Sequence, residues 1–152
     1  MYLINDVTVI LDYGHNMEGY KGVVDALKSI KHNKLIGVIG VPGDRLDRHI
    51  LDIGKYAGEN FDYIFIKENE DRTGKCKGEV ADLLEKGILK SKFNRNNIKK
   101  VLEETEAFKT ALDFASPGDI LIIFFEKYEP IINIIKSKLE KIKFDNKLLV
   151  KC

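Results

Sequence analysis

An acid, a glycine and a histidine follow directly on the first strongly apolar run of the chain. The run is residues 7–11, and the segment after it reads DYGHN, with Asp12, His15 and Asn16 as its polar side chains. A carboxylate accepts two hydrogen bonds at once, as from ribose hydroxyls. Histidine titrates near neutral pH and could contact a phosphate or a base. Ligands of α/β sheets bind beyond the carboxyl ends of the strands, so this segment predicts a binding site.

A simpler interpretation of the same segment stays open. Asp12 and Asn16 have side chains that commonly cap helices, and a helical pattern follows them. In that case His15 would be exposed and without a role.

A second loop, residues 40–48 (GVPGDRLDR), follows another apolar run. Glycine lets a backbone approach a ligand closely, which here concerns Gly43. Arg45 could make a two-pronged contact to carboxylate or phosphate, next to the positive end of the helix that follows. Neither a P-loop nor a Rossmann glycine fingerprint is present in the chain. The alternative is a simple turn in which Asp44 or Asp47 caps the helix and the arginines face solvent.

A third loop, residues 67–77, is highly charged and contains Arg72. Such a run is usually a solvated loop. Its position favours a function, because it follows a strand as the other two loops do, and three loops from one edge could converge on one ligand.

Short β-branched runs alternate with helical patterns along the chain, which predicts βαβ units and a mostly parallel sheet. We therefore expect an α/β, Rossmann-like three-layer domain, with helices flanking the sheet, and a single domain over residues 1–152. Right-handed crossovers would place loops 12–19, 42–47, 67–77 and 126–129 on one edge. Two short segments are less certain. Residues 98–102 could be an edge strand or a helix start, and residues 148–150 could add a final strand.

Four strands are predicted at residues 7–11, 35–41, 61–66 and 119–125, and five helices at residues 19–31, 48–60, 78–90, 104–115 and 130–141.

Composition argues against several classes of protein. The 25 basic and 24 acidic residues nearly cancel, which argues against a nucleic-acid or membrane surface. The two cysteines and three histidines, all scattered, indicate neither a disulfide framework nor a metal site. No signal peptide is visible, and no apolar run approaches the ~20 residues of a membrane span. A reducing cytoplasm is the expected compartment.

The order of the loops is more specific than any one of them. After DYGHN come GVPGDRLD, FDYIFIKE, a charged loop with Arg72, KGEVA and SPGDILIIF. This series resembles the C-terminal domain of the Mur-type amide ligases, and most closely that of cyanophycin synthetases. The resemblance covers residues 5–135. One departure is Met17, which stands where the family signature usually has proline.

The resemblance implies a module of an ATP-dependent acid–amino-acid ligase. In such enzymes ATP phosphorylates a carboxylate, and an amine then attacks the acyl phosphate to form an amide. By motif position, Asp12, His15 and Asn16 would face the nucleotide. A second set would face the incoming amino acid or the phosphates, and its members are Gly43, Asp44, Arg45, Asp47 and Arg72. No residue is assigned a certain catalytic role.

The resemblance also implies partners that this chain lacks. ATP and Mg²⁺ would be bound mainly by a P-loop domain of the same ligase, and the amino acid could be arginine or aspartate. Without a P-loop the chain should not ligate anything alone. The segment 1–6 could come from a cloned fragment, since a family domain would begin just upstream of Val7. The alternative is a stand-alone, non-catalytic nucleotide- or partner-binding domain, and a homo-oligomer stays open.

Overall fold

Six strands form one sheet in the computed structural model, in the order β1-β2-β6-β3-β4-β5. The structure describes residues 1–149, and the side chains of residues 1–144. The strands are β1 Tyr2–Ile4, β2 Val7–Asp12, β3 Leu35–Ile39, β4 Tyr63–Ile66, β5 Ile98–Lys100 and β6 Ile120–Phe124. The helices are α1 Met17–Lys28, α2 Asp47–Asn60, α3 Glu79–Lys90, α4 Glu104–Phe114 and α5 Tyr128–Leu149. All neighbouring strands are parallel except β1 and β2, so the predicted mostly parallel sheet is confirmed.

The sheet is buried on both faces between two layers of helices. Helices α1, α2 and α3 cover one face, and α4 and α5 cover the other. Successive strand residues point to opposite faces, so Ile120 and Ile122 join the first core while Leu121 and Ile123 join the second. This explains why β3 and β6 are apolar without interruption.

The first strand was missed by the sequence analysis. Tyr2–Ile4 pairs antiparallel with β2, and the turn between them has Asn5 and Asp6 at positive φ values of 48° and 60°. Asparagine and aspartate tolerate this left-handed backbone, which two-residue hairpin turns require. Residues 2–4 therefore belong to the same sheet as Val7–Asp12.

Two ambiguous segments are resolved by the structure. Ile98–Lys100 is an edge strand that pairs in parallel with β4, so the helical alternative for residues 98–102 was wrong. Leu148 and Leu149 belong to α5 instead of a final strand, and Val150 lies outside the described residues. Helix α5 is longer than predicted, because Leu139 and Ile142 continue its apolar stripe against the second core.

The carboxyl ends of the parallel strands β2 to β6 form one edge, which we call the strand-end rim. Backbone hydrogen bonds connect the segments that leave the strands there. The N–H of Lys67 donates to Ile39, that of Phe125 to Asp12, and that of Glu68 to Leu102, each with the acceptor oxygen 2.9 Å away. The rim therefore brings the predicted loops together. No helix within residues 1–149 is long and apolar enough to cross a bilayer.

Candidate functional site

Asn16 begins helix α1. Its backbone is extended, and its side-chain oxygen accepts the N–H of Gly19 at 2.9 Å, so it is the N-cap residue. Met17 then occupies the first helical position, which proline would also suit. Asp12 does not cap the helix, because its carboxylate accepts the N–H of Gly14 at 2.7 Å. The capping alternative was thus correct for Asn16 and wrong for Asp12.

His15 lines a cavity between the first turns of α1 and α2. The cavity has a volume of about 250 Å³, and we call it the His15 hollow. The ring nitrogen Nδ1 of His15 is 3.2 Å from the carbonyl oxygen of Tyr13, and the two rings meet edge to face. The walls of the His15 hollow are formed by His15, Asn16, Met17, Glu18, Arg45, His49, Asp52 and Ile53.

Tyr20 connects helix α1 to the end of β3. Its ring is fully buried and stacks on Phe124, with 3.7 Å between ring centroids and 10° between planes. Its hydroxyl donates to the carbonyl of Gly40 at 3.1 Å. Burial raises the pKa of the Tyr20 hydroxyl, so it stays protonated. The start of α1 is therefore held against the end of β3.

Arg45 lines the His15 hollow and has a buried polar atom without a hydrogen-bond partner among the described residues. Its Nε atom is buried and makes no hydrogen bond within the part of the chain that the structure describes. The nearest carboxylate oxygen, from Asp44, is 3.6 Å away. A buried donor without an acceptor is unfavourable, and guanidinium groups suit phosphate and carboxylate. Arg45 is therefore the lining residue of the His15 hollow whose chemistry suits an anion, and it lies among walls that also carry the carboxylates of Glu18 and Asp52.

The other predicted residues of the second loop do not line the His15 hollow. Asp44 is exposed, and Asp47 pairs with Lys75 at 2.7 Å. A hydrogen bond to Asp47 is the main cause that raises the pKa of Lys75. Neither aspartate caps α2, whose N-cap residue is Leu46 with no side-chain hydrogen bond. The capping alternative for this loop was wrong.

Gly43 joins the second and third loops by close packing. A Cβ atom added at this position would lie 1.9 Å from the carbonyl oxygen of Arg72, which no side chain tolerates. Its N–H also donates to the carbonyl of Asp71 at 3.3 Å. Glycine is therefore needed here for the approach of two loops.

Arg72 lines a second cavity of about 310 Å³, which we call the Glu104 cleft. Of the predicted residues, His15, Asn16 and Arg45 thus line one cavity and Arg72 lines the other. Four predicted residues line neither of these two cavities, namely Asp12, Gly43, Asp44 and Asp47. The walls of the Glu104 cleft are formed by Glu68, Asn69, Glu70, Arg72, Lys77, Leu102, Glu103, Glu104, Thr105, Glu126, Lys127 and Pro130.

A buried ion pair lies beneath the Glu104 cleft. The side chain of Lys67 is 1% exposed, and its Nζ is 2.6 Å from a carboxylate oxygen of Glu104 and 2.9 Å from the amide oxygen of Asn69. Burial lowers the pKa of Lys67, and the carboxylate of Glu104 opposes that shift. Glu104 also accepts the backbone N–H groups of Glu126 at 2.6 Å and Lys127 at 3.0 Å. Each charged group is therefore partnered, as burial requires.

Glu68 is buried as well and caps a helix from outside it. Its carboxylate accepts the N–H of Gly78 at 2.9 Å and of Ala81 at 3.3 Å, at the start of α3. A negative charge is favourable at this end of a helix. The solvated-loop alternative for residues 67–77 was therefore wrong at Lys67 and Glu68.

Sequence reasoning missed several residues that line or support the two cavities. Lys67 and Glu68 directly continue a buried strand, which is the signal that could have found them. Glu104 had a weaker signal, as the second of two consecutive glutamates where a helix begins. Glu103 is the N-cap residue of α4, and Glu104, the first residue of that helix, is buried. His49, in the first turn of α2, gave no signal in the sequence. It is exposed, and it also lines the His15 hollow.

No group of three or more histidine, cysteine, aspartate or glutamate side chains within residues 1–144 is arranged to hold a metal ion.

Comparison with known proteins identifies the family. The family described as "Mur ligase, glutamate ligase domain" matches residues 1–124. A cyanophycin synthetase of Geminocystis herdmanii is 40% identical over 137 residues, which cover 90% of this chain and 15% of that protein. A cyanophycin synthetase of Crocosphaera subtropica is 37% identical over 91% of this chain and 16% of that protein. The UDP-N-acetylmuramyl-tripeptide synthetase 2 of Oceanobacillus iheyensis is 32% identical over 86% of this chain.

Solved structures agree on the fold. A UDP-N-acetylmuramoyl-L-alanyl-D-glutamate–2,6-diaminopimelate ligase superposes with a TM-score of 0.67 at 21% identity, over 78% of this chain and 23% of that one. The chain belongs to the Mur ligase C-terminal domain family, which confirms the resemblance found in the sequence. The cyanophycin synthetases are among its similar relatives, and the chain spans about a sixth of their length.

Proposed function

We propose that residues 1–152 form one C-terminal module of an ATP-dependent acid–amino-acid ligase resembling cyanophycin synthetase. The activating phosphoryl group would come from ATP, and amide formation would follow attack of an amine on an acyl phosphate. Membership in the family supports this reaction class. The chain has no P-loop, so we propose that a P-loop domain of the same ligase is its partner and binds most of the ATP and Mg²⁺.

The His15 hollow is proposed to contact the nucleotide. The observation that carries this assignment is the buried Nε of Arg45, a donor without an acceptor among the described residues, beside His15 and Asn16. The side chain of Arg45 is 35% exposed, so a phosphate oxygen would meet the accessible part of its guanidinium group. Arginine also stabilises the negative charge that develops in phosphoryl transfer. Asp12, at the end of β2, would meet the ribose.

The Glu104 cleft is proposed to hold the incoming amino acid. Arg72 offers a planar guanidinium group for the carboxylate of that substrate. Five glutamates line the cleft against three cations, and Lys67 beneath it neutralises Glu104. The one negative charge that remains in excess favours an ammonium or guanidinium group. Of the two amino acids considered from the sequence, arginine therefore suits the cleft better than aspartate.

The size of the native polypeptide is the first test. An antibody against this domain should detect a band several times heavier than 17.3 kDa in a lysate of the source cells. A band at the size of this chain would mean that the P-loop domain is absent. The alternative of a stand-alone nucleotide- or partner-binding domain would then replace the ligase proposal.

Kinetics of that full-length polypeptide provide the second test. Asp12→Ala and Arg45→Ala should each lower kcat/KM for ATP by about tenfold or more, the loss expected for one hydrogen bond to a charged group. The matched control is Asp113→Ala, which removes an exposed carboxylate paired with Lys138 at the far end of α4. Equal activities in the three variants would refute the assignment of the His15 hollow.

A further inference from the structure

The buried carboxylate of Glu104 belongs to a series of hydrogen bonds that the backbone of residues 67–70 closes into a ring. Its Oε2 is 2.6 Å from Nζ of Lys67 and accepts the N–H of Glu126, while its Oε1 accepts the N–H of Lys127. One side chain thus holds the end of β4, the start of α4 and the turn after β6. A carboxylate with these partners has one favourable position, because each oxygen already has its donors.

The ring closes on the exposed side of the Glu104 cleft. The carboxylate of Glu126 accepts the N–H of Glu70 at 2.8 Å, and Nζ of Lys127 lies 2.5 Å from the carboxylate of Glu70. This contact is the main cause that raises the pKa of Lys127. Glu70 is three residues from Lys67 along the chain, so the path returns to its starting point.

The two sides of the ring differ in accessibility. The side chain of Glu104 is 10% exposed, whereas that of Glu70 is 76% exposed. An exposed ion pair by itself is weak and mobile. The groups that face the Glu104 cleft therefore depend on the buried pair for their geometry.

We propose that Glu104, held by Lys67, is a positioning residue that sets the orientation of Glu126, Lys127 and Glu70 for binding of the incoming amine substrate. This inference rests on the proposed function for the amino-acid role of the cleft. Glu104 acts through the N–H groups of Glu126 and Lys127, and the ordered carboxylates of Glu126 and Glu70 then meet the cationic part of the substrate. Prior ordering of such groups lowers the entropy lost on binding.

Hydrogen exchange on this chain tests the positioning step without any reaction. In Glu104→Gln, the N–H of Glu70 should exchange about tenfold faster. Its acceptor is the carboxylate of Glu126, and the N–H of Glu126 loses its charged acceptor in this variant. The internal reference is the N–H of Asp62, bonded to Leu35 at the opposite end of the sheet. The control variant is Ile88→Ala, which truncates a fully buried side chain in α3. It should not speed exchange at Glu70 more than at Asp62.

Kinetics of the full-length ligase test the substrate step. Glu104→Gln should raise KM for the amino acid about tenfold or more and leave KM for ATP unchanged, whereas Ile88→Ala should change neither. If Glu104→Gln does not fold, the double variant Lys67→Met with Glu104→Gln removes both buried charges, and the same exchange and KM effects are expected from it.

The outcomes separate this inference from the proposed function. Unchanged exchange at Glu70 in Glu104→Gln overturns the inference and leaves the ligase assignment intact. Faster exchange with an unchanged amino-acid KM also overturns it, provided that Arg72→Ala raises that KM. If Arg72→Ala leaves the amino-acid KM unchanged as well, the amino-acid role of the Glu104 cleft is wrong, and the inference that depends on it is wrong too.

Discussion

The His15 hollow and the Glu104 cleft lie on the same rim but are built in opposite ways. In the His15 hollow, Nε of Arg45 has no hydrogen-bond partner among the described residues. In the Glu104 cleft, the carboxylate of Glu104 accepts three hydrogen bonds, two of them from backbone groups. A residue that lines the first cavity therefore has an unsatisfied donor, whereas the buried carboxylate of the second cavity has all its partners within the protein.

This difference corresponds to the two roles proposed for the cavities. Phosphate is a strong acceptor that one guanidinium group can hold without much support. An amine must be placed with its lone pair directed at an acyl carbon, and small misplacements are costly in rate. A prearranged set of carboxylates suits the second task better than a flexible one.

The largest expected effect concerns the buried pair. Glu104→Ala should lower the free energy of unfolding by about 3–5 kcal/mol, because it leaves the ammonium of Lys67 buried without a counter-charge. Arg45→Ala should change it by no more than about 0.5 kcal/mol, since Nε has no partner to lose. Urea denaturation of this chain measures both values.

A double variant sharpens this comparison. Lys67→Met with Glu104→Leu should be more stable than Glu104→Ala, because no buried charge is left unpaired. Similar losses in Arg45→Ala and Glu104→Ala would remove the distinction between the two cavities.

An intermediate effect is expected where the second and third loops meet. Gly43→Ala should destabilise the chain by about 1–3 kcal/mol, because its Cβ would overlap the carbonyl of Arg72. The atoms nearest to that Cβ all belong to the backbone of Arg72, which cannot move aside as a flexible side chain could. Gly22→Ala is the matched control in helix α1, where a Cβ meets nothing within 4 Å. It should stabilise the chain by about 0.5–1 kcal/mol. Thermal melting of the two variants gives the comparison, and a neutral Gly43→Ala would contradict the close packing.

The smallest effect distinguishes capping from binding at Asn16. Asn16→Ala should cost about 1 kcal/mol, since the N–H of Gly19 loses its acceptor. Asn16→Asp keeps the cap and should be nearly neutral in stability. If Asn16→Asp weakens ATP binding in the full-length ligase while its melting temperature is unchanged, Asn16 contacts the ligand. If affinity falls only in Asn16→Ala, capping is its whole contribution.

Local patterns predicted most of the fold. The apolar runs at residues 35–41 and 119–125 contain β3 and β6. Because successive side chains of a strand point to opposite faces, uninterrupted apolar runs indicate a sheet that is covered on both faces. The hairpin at the amino terminus was missed, because its turn depends on the positive φ of Asn5 and Asp6 and its first strand has only three residues. Short strands of this kind are stable only when a neighbouring strand pairs with them.

The candidate site was predicted less completely than the fold. Asp12, His15 and Arg45 were recognised by residue type and by their position after strands. Lys67 and Glu104 were not, because they are far apart in the chain and Lys67 lies in a run of charges that resembles a solvated loop. Only the parallel pairing of β4 with its neighbours brings the end of that strand to the start of α4.

The sequence by itself determined the order of four strands and five helices, the polar loops that follow the strands, and the family to which they belong. These depend on apolar periodicity and on motifs that are local in the chain. The tertiary structure decided that the loops form two cavities instead of one, and that a lysine and a glutamate of the rim are buried. The physical reason is that a charge can be buried only where its partners are already in place, and here those partners come from three separate segments of the chain.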